Sequence, residues 1–448
     1  MEGRNLTQGG VMRNIVYFAL PYMLSYFLQI LYGLADLFVI GQYCGVDSTT
    51  AVSNGAQVMH MFTVIIIGLA MGTTVRIAHT VGANDREQTS RTIGNTITLF
   101  MGLSVVLAVI LLLACNGIVR MMDTPTEAIT ETVAYLTICF IGIPFIVAYN
   151  IIASIFRGLG DSKSPMYFIA VACVVNVALD YLLIGLFGMG AAGAALATTL
   201  SQMCSVIFAY VAIRRQKSML AITRKDLKPH KGTLSQILKI GIPVAMQDGF
   251  IQVAFMAIMI IANGRGLNDA AAVGIVEKFI GLLFIIPSAM LSTVSAISAQ
   301  NIGAGKTERA LTTLRYSIGV CVAYGVAVGV IFQFIPEEAV RLFTDDDKVI
   351  VLGGEYLQSY SWDCLFAGIH FCYSGLFTAC GYSIISFCHN FLSIVCARIP
   401  LSYFASEMYP DTLFPMGIAS PAGSLVSVII CIVVYRWLMK RNKFKIKK

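Results

Sequence analysis

Ionisable side chains set in long apolar runs are costly to bury, so the few found there point to what this chain does. Asp36 lies in such a run with Gly33 and Tyr32 three and four residues before it, so a phenol and a gap share the carboxylate's helical face. Asn176 and Asp180 stand four apart in another run, which stacks an amide and a carboxylate on one side. Thr198 and Thr199 offer hydroxyls from a neighbouring run whose Gly190, Gly193 and Ala194 permit close backbone approach. Gathered into one pocket, such oxygens suit a hard cation, and two adjacent carboxylates can equally share a proton. Na+ and H+ are both open at this point, and no other metal is implied.

Other candidates carry less. Glu277 and Lys278 are neighbours in sequence and so point about 100 degrees apart on a helix, which predicts separate partners within the bundle. Asp363 and Arg398 also fall in apolar runs, and Arg398 can face a cavity or answer a carboxylate such as Glu277. Gly303-Ala304-Gly305-Lys306-Thr307 has the look of a phosphate loop but carries Gln300 where the leading glycine belongs, so no nucleotide is expected. The twelve Cys contain no C-x-x-C pair and the five His show no metal spacing; neither zinc nor a cofactor is expected. No nucleophile with an adjacent base is evident, which argues against an enzyme.

The elements that must position these residues follow from composition. The 448 residues are 57% hydrophobic and only 12% charged, with a mean hydropathy of +0.78. Soluble chains carry about a quarter charged residues, so a soluble catalytic module is excluded and an all-α integral membrane protein is expected. Apolar runs bounded by Gly, Pro or charge predict twelve transmembrane helices, near 15–41, 51–78, 93–114, 129–155, 164–186, 190–213, 237–263, 271–299, 312–335, 349–378, 384–405 and 413–438. An even number puts both ends on one side. Lys and Arg gather at the ends and in the even-numbered connections, which predicts a multi-pass inner (plasma) membrane protein with cytoplasmic termini. The clusters Arg214–Lys231 and Arg436–Lys448 read as topology signals near anionic lipid, not as nucleic-acid sites.

The chain also repeats itself. Ala19-Leu20-Pro21 returns as Gly241-Ile242-Pro243, Val81–Asp85 as Ile302–Lys306, and Phe156–Gly160 as Phe377–Gly381, at offsets of 221 or 222 residues. That offset holds six predicted spans, so the halves insert in the same orientation. The expected organisation is a six-helix lobe at 1–213, a cytoplasmic linker at 214–235 and a second six-helix lobe at 236–448.

The segments Leu34–Gly41, the loop beginning Val81-Gly82-Ala83, Arg157–Ser162, and Asn176 through Asp180 to Gly190-Ala191-Ala192-Gly193 together resemble the multidrug and toxic compound extrusion (MATE) transporters over nearly the whole chain. The resemblance implies two pseudo-symmetric six-helix bundles around a central cavity, and export of cationic or amphipathic small molecules in exchange for Na+ or H+. It also implies a first-lobe cation site on helices one, five and six, whose places are matched here by Asp36, Asn176, Asp180 and Thr198. Some branches of the family carry carboxylates deep in helices seven and ten. This chain departs from them, because Ile251–Ile261 holds Gln252 as its only long polar side chain.

The expected function is therefore a secondary active multidrug exporter working by alternating access, as a monomer and without a cofactor. Cargo would rest against Tyr32, Tyr149, Asn150 and Met256, with Glu277, Lys278, Asp363 and Arg398 as further cavity candidates. Pro21, which lacks an N–H and shares a helix with Asp36, offers a hinge. The alternative is a lipid-linked oligosaccharide flippase, less favoured because the cavity set includes a single Arg.

Overall fold

Hydrocarbon offers no water to a peptide group, so a chain this apolar must satisfy its N–H and C=O groups internally, and helices do so within one segment. The computed structural model describes residues 5–122, 124–215 and 223–441, and among them there is no strand. The first half comprises α1 (Val11–Tyr43), α2 (Val46–Gly82), α3 (Arg86–Met121), α4 (Ile129–Gly158), α5 (Lys163–Asp180), which passes into a π turn at Tyr181–Leu186, and α6 (Gly190–Arg215). The second comprises α7 (Lys231–Arg265), α8 (Leu267–Leu283), α9 (Ile285–Gly303), α10 (Thr307–Phe334), the short α11 (Pro336–Arg341), α12 (Asp347–Tyr360) and α13 (Asp363–Ala379). It closes with α14 (Ser383–Ser393), a π turn at Ile394–Arg398, α15 (Ile399–Met408) and α16 (Phe414–Lys440). Residues 216–222 of the expected linker and 442–448 of the C-terminal basic cluster lie outside the described residues.

Among the described residues, eleven helical segments are long and apolar enough to cross a membrane. The tenth expected run, 349–378, is instead divided between α12 and α13 at Ser361 and Trp362. Packing explains the break. A Cβ on Gly329 of α10 would come within 2.7 Å of the Trp362 ring, so the indole lies flush on that glycine while Ser361 is fully buried.

The chain divides into two compact units whose limits differ from those of the expected lobes. Leu20–Leu238 form the first, while Leu6–Ala19 join Lys239–Lys448 in the second. Both limits fall inside helices, just before Pro21 in α1 and Pro243 in α7. Hydrogen bonds explain the assignment. In the second unit Gln300 accepts from the Leu6 N–H, Lys306 donates to the Thr7 carbonyl at 2.9 Å, and Arg309 donates to the Gly9 carbonyl at 2.8 Å. In the first, Asn95 of α3 donates to the carbonyls of Asp226 and Lys228 and accepts from the His230 N–H. Gly94 leaves the linker backbone room to lie directly on α3. Each unit has its own core, around Phe100, Leu136 and Phe140 in the first and Val276, Tyr356 and Leu357 in the second.

The sequence echoes become matching backbone devices. Gly160 and Gly381, with φ of +89° and +77°, end α4 and α13, and in each the next N–H turns back to a phenylalanine carbonyl, Asp161 to Phe156 and Tyr382 to Phe377. Asn84 and Gly305 close the other pair of turns, again at positive φ. Between helices, Thr74 donates to the Ser154 carbonyl at 3.0 Å and Ser295 to the Gly375 carbonyl at 3.1 Å, contacts separated by the same 221 residues. Asp161 has a structural role, since its carboxylate accepts the Lys163 and Ser164 N–H groups that open α5.

These turns are testable. A Cβ at Gly381 would touch nothing within 4 Å, so Gly381→Ala should lower stability by about 1–2 kcal/mol through left-handed strain alone. Gly319→Ala, equally uncrowded but inside α10, should be neutral or stabilise by up to about 1 kcal/mol. Thermal unfolding of the detergent-solubilised chain distinguishes them, and equal shifts would contradict this reading.

Candidate functional site

The first-unit candidates meet at one place. Asp36 is 5% exposed, and Asn176 and Asp180 are fully buried, one turn apart at the end of α5. The π turn begins at the next residue, so the helix widens where the carboxylate sits; such bulges recur at functional sites. Gly188 and Gly190, both at positive φ, then reverse the chain tightly. Gly193 lies against the backbone of Leu183, which draws α6 close and delivers Thr198 to α1. The Thr198 hydroxyl donates to Asp36 Oδ2 at 3.2 Å. Asn176 and Asp180 also stand within reach of the Asp36 carboxylate.

Most of this polar surface lacks a partner. Asp36 Oδ1, both Asp180 oxygens, both amide atoms of Asn176, the Tyr32 hydroxyl and Thr199 Oγ1 are buried without a hydrogen bond of ordinary geometry. A buried polar atom left unpaired costs about 1–3 kcal/mol, more when charged, so such a concentration calls for a ligand. Oxygen donors of this kind suit a small hard cation or a proton. Tyr135 and Cys139 of α4, which the sequence reading missed, border Asp36 as well. Their four-residue spacing, and the recurrence of Tyr135 as Tyr356 at the repeat offset, were the available signals.

Of the remaining candidates, Tyr32 alone borders this pocket. Tyr149 and Asn150 are 3% and 5% exposed, so they pack in the first unit rather than lining an open surface. Tyr149 belongs to an apolar cluster with Phe156 and Phe168, and the Asn150 amide donates to the Ile146 carbonyl of its own helix. Tyr32 is half-buried beside Thr198 and Ser201. Met256 of α7 is 51% exposed. Pro21 sits eleven residues into α1, where a missing N–H interrupts the helical ladder, and not in the first turn.

Glu277, Asp363 and Arg398 form a separate centre in the second unit. The Arg398 guanidinium donates to the Tyr360 hydroxyl and lies 5.1 Å from the Phe255 ring centroid. Asp363, Tyr356 and Glu277 lie within electrostatic reach of it. Asp363 is fully buried, so it cannot touch cargo in this conformation, and Lys278 is exposed rather than paired inside the bundle. Gly423 of α16 allows the π turn ending at Arg398 to approach, its place for a Cβ being 3.1 Å from the Arg398 Cβ.

Comparison with known proteins extends these observations. The MatE family model matches twice, over residues 21–182 and 243–404. The probable multidrug resistance proteins YoeA and YpnP of Bacillus subtilis are 27% and 28% identical to this chain, over 97% and 98% of it and 95% and 97% of their own lengths. Among solved structures, an outward-facing multidrug resistance MATE family transporter superposes with a TM-score of 0.92 at 22% identity, covering 99% of each chain. A MATE crystal structure in complex with MaL6 gives 0.90 at 23% identity over 98% of each.

The unpaired oxygens predict an unusual stability response. Asp180→Asn should raise the melting temperature in Na+-free buffer at about pH 10, where the carboxylate is ionised, because it removes a buried charge without a partner. Any upward shift that added Na+ gives the parent should shrink in the variant. A variant that melts lower under both conditions would mean that Asp180 already has a stabilising partner.

Proposed function

Because this multi-pass membrane chain belongs to the MATE family of multidrug efflux transporters, we propose that it antiports Na+ or H+ against small organic cations or amphipathic drugs by alternating access. The observation that carries the proposal is the set of unpartnered oxygens on Asp36, Asn176 and Asp180 beside the Thr198 hydroxyl. A pocket of that kind gains most from binding a cation, and a ligand shifts a conformational equilibrium only by its difference in affinity for the two states. Asp36 shares α1 with Pro21, so occupancy of the pocket can bias the helix at the point where its ladder is interrupted. Cargo meets half-buried and exposed apolar side chains, Tyr32 and Met256 among them, and few fixed donors, which suits varied ligands. The protein works as a monomer in the inner (plasma) membrane with both ends cytoplasmic. It uses no cofactor beyond the coupling ion and does not engage nucleic acid. The relatives described above are multidrug proteins, which favours export over flipping of a lipid-linked oligosaccharide.

Vesicle transport of a fluorescent organic cation under imposed Na+ or pH gradients tests this. Asp36→Asn and Asp180→Asn should each lose at least about tenfold of gradient-driven export, equivalent to about 1.4 kcal/mol of coupling. Thr198→Val should lose less, about two- to tenfold, as expected for one hydrogen bond. Gradient-independent movement by the parent, or full activity in both aspartate variants, would overturn the proposal.

A further inference from the structure

The polar centre of the second unit has no part in the cycle just described. The 221-residue repeat sets Tyr356 at the position of Tyr135, Tyr360 at Cys139, Asp363 at Gly142, Arg398 at Val177 and Ser420 at Thr199. Tyr135 and Cys139 lie within electrostatic reach of the Asp36 carboxylate, as Tyr356 does of the Arg398 guanidinium, which Tyr360 contacts directly. The pocket residues Asp36, Asn176, Asp180 and Thr198 themselves fall at Ala257, Ala397, Leu401 and Ala419, so the second unit builds its polar centre from neighbouring positions in the repeat, and with opposite contents. One gathers oxygens around no fixed positive charge; the other gathers oxygens around a guanidinium.

The surroundings of Arg398 resemble a cage more than an ion pair. Among the described residues no carboxylate reaches salt-bridge distance of it. It is held by the Tyr360 hydroxyl and by the Phe255 and Tyr360 rings, whose centroids lie 5.1 and 5.6 Å away. Asp363, fully buried on the adjoining helix, supplies one counter-charge, and in a poorly polarisable interior that attraction acts well beyond contact. Glu277 is only half-buried and keeps some access to the exterior of the unit. One buried guanidinium thus stands against one fully buried carboxylate, whereas the first unit sets two carboxylates against nothing.

We propose that Arg398 is a tethered cation, permanently occupying the second unit's counterpart of the exchangeable ion pocket, so that the chain carries a single exchangeable coupling ion. The inference rests on the first-unit ion pocket proposed above. It assigns Arg398 the task of holding the second unit in the filled state throughout the cycle, with Asp363 as its fixed partner. Neutralising the arginine would expose the Asp363 carboxylate together with the Tyr356 and Ser420 hydroxyls, which already lack hydrogen bonds, and so create a second exchangeable site.

The test counts ions on the purified full chain, using radioactive Na+ at high pH and, separately, proton uptake from weakly buffered Na+-free solution. The parent should bind one equivalent of one of these ions and lose it in Asp36→Asn. Arg398→Gln should gain a second equivalent, which Arg398→Gln with Asp363→Asn should lose again, while Arg398→Lys should stay at the parent value. A folded Arg398→Gln protein that gains neither ion overturns the proposal. So does an equivalent that survives Asp36→Asn and disappears in Asp363→Asn, a comparison that leaves Arg398 intact and decides the matter even where Arg398→Gln does not fold. A parent that binds neither ion would overturn the first-unit reading instead, and the gain in Arg398→Gln would still report on the second unit by itself.

Discussion

Peptide groups surrounded by hydrocarbon must find their hydrogen bonds within the chain, and this requirement organises nearly everything in the structure. It makes regular helix the default and irregular backbone the exception that must be built and protected. Apart from the connecting turns, the main exceptions are few: the π turns at Tyr181–Leu186 and Ile394–Arg398 and the break between α12 and α13. One π turn follows directly on Asp180 and the other ends at Arg398, while the break precedes Asp363. Backbone irregularity and buried charge thus occur together in both units.

What holds each centre in place is close approach at small residues. A Cβ on Gly142 would meet the Thr199 hydroxyl at 2.6 Å, so α4 and α6 are pressed together beside the Asp36 pocket. In the second unit the position equivalent to Gly142 is Asp363, and the volume left free in one half carries a charge in the other. Two halves with the same helical frame have therefore been given different electrostatic tasks by a handful of side chains, which is possible because the frame rests on apolar packing and shared turns rather than on the centres themselves.

The helical frame was largely legible because its signals are strong and local. Long apolar runs, Gly and Pro punctuation and three echoes at nearly one offset follow from bilayer thickness and turn geometry, and Asp36 and Asp180, with Asn176 one turn from the latter, stand out because carboxylates in such runs are rare. What was not legible depends on tertiary contacts. The interruption at Ser361 and Trp362 arises from an indole seated on Gly329 in another helix, and nothing in the 349–378 run announces it. Tyr149 and Asn150 looked like cavity residues by type, yet neighbouring helices close over them. The limits at Leu20 and Lys239 escaped notice because a continuous helix gives no local sign that its two ends belong to different cores.

That last feature bears on how the chain is made. Residues Leu6–Ala19 leave the ribosome well before the rest of their core, whose other members begin at Lys239. The first unit can close once translation has passed Leu238, whereas the second must wait for its remaining helices while its earliest piece is already threaded through the bilayer. Pairings so distant in sequence form slowly, and unfinished apolar surfaces invite mispairing in the meantime. Expressing the second half alone would therefore yield a bundle missing its own leading segment, so separating this protein into two independent genes at the apparent linker would divide both cores and not just the connection between them.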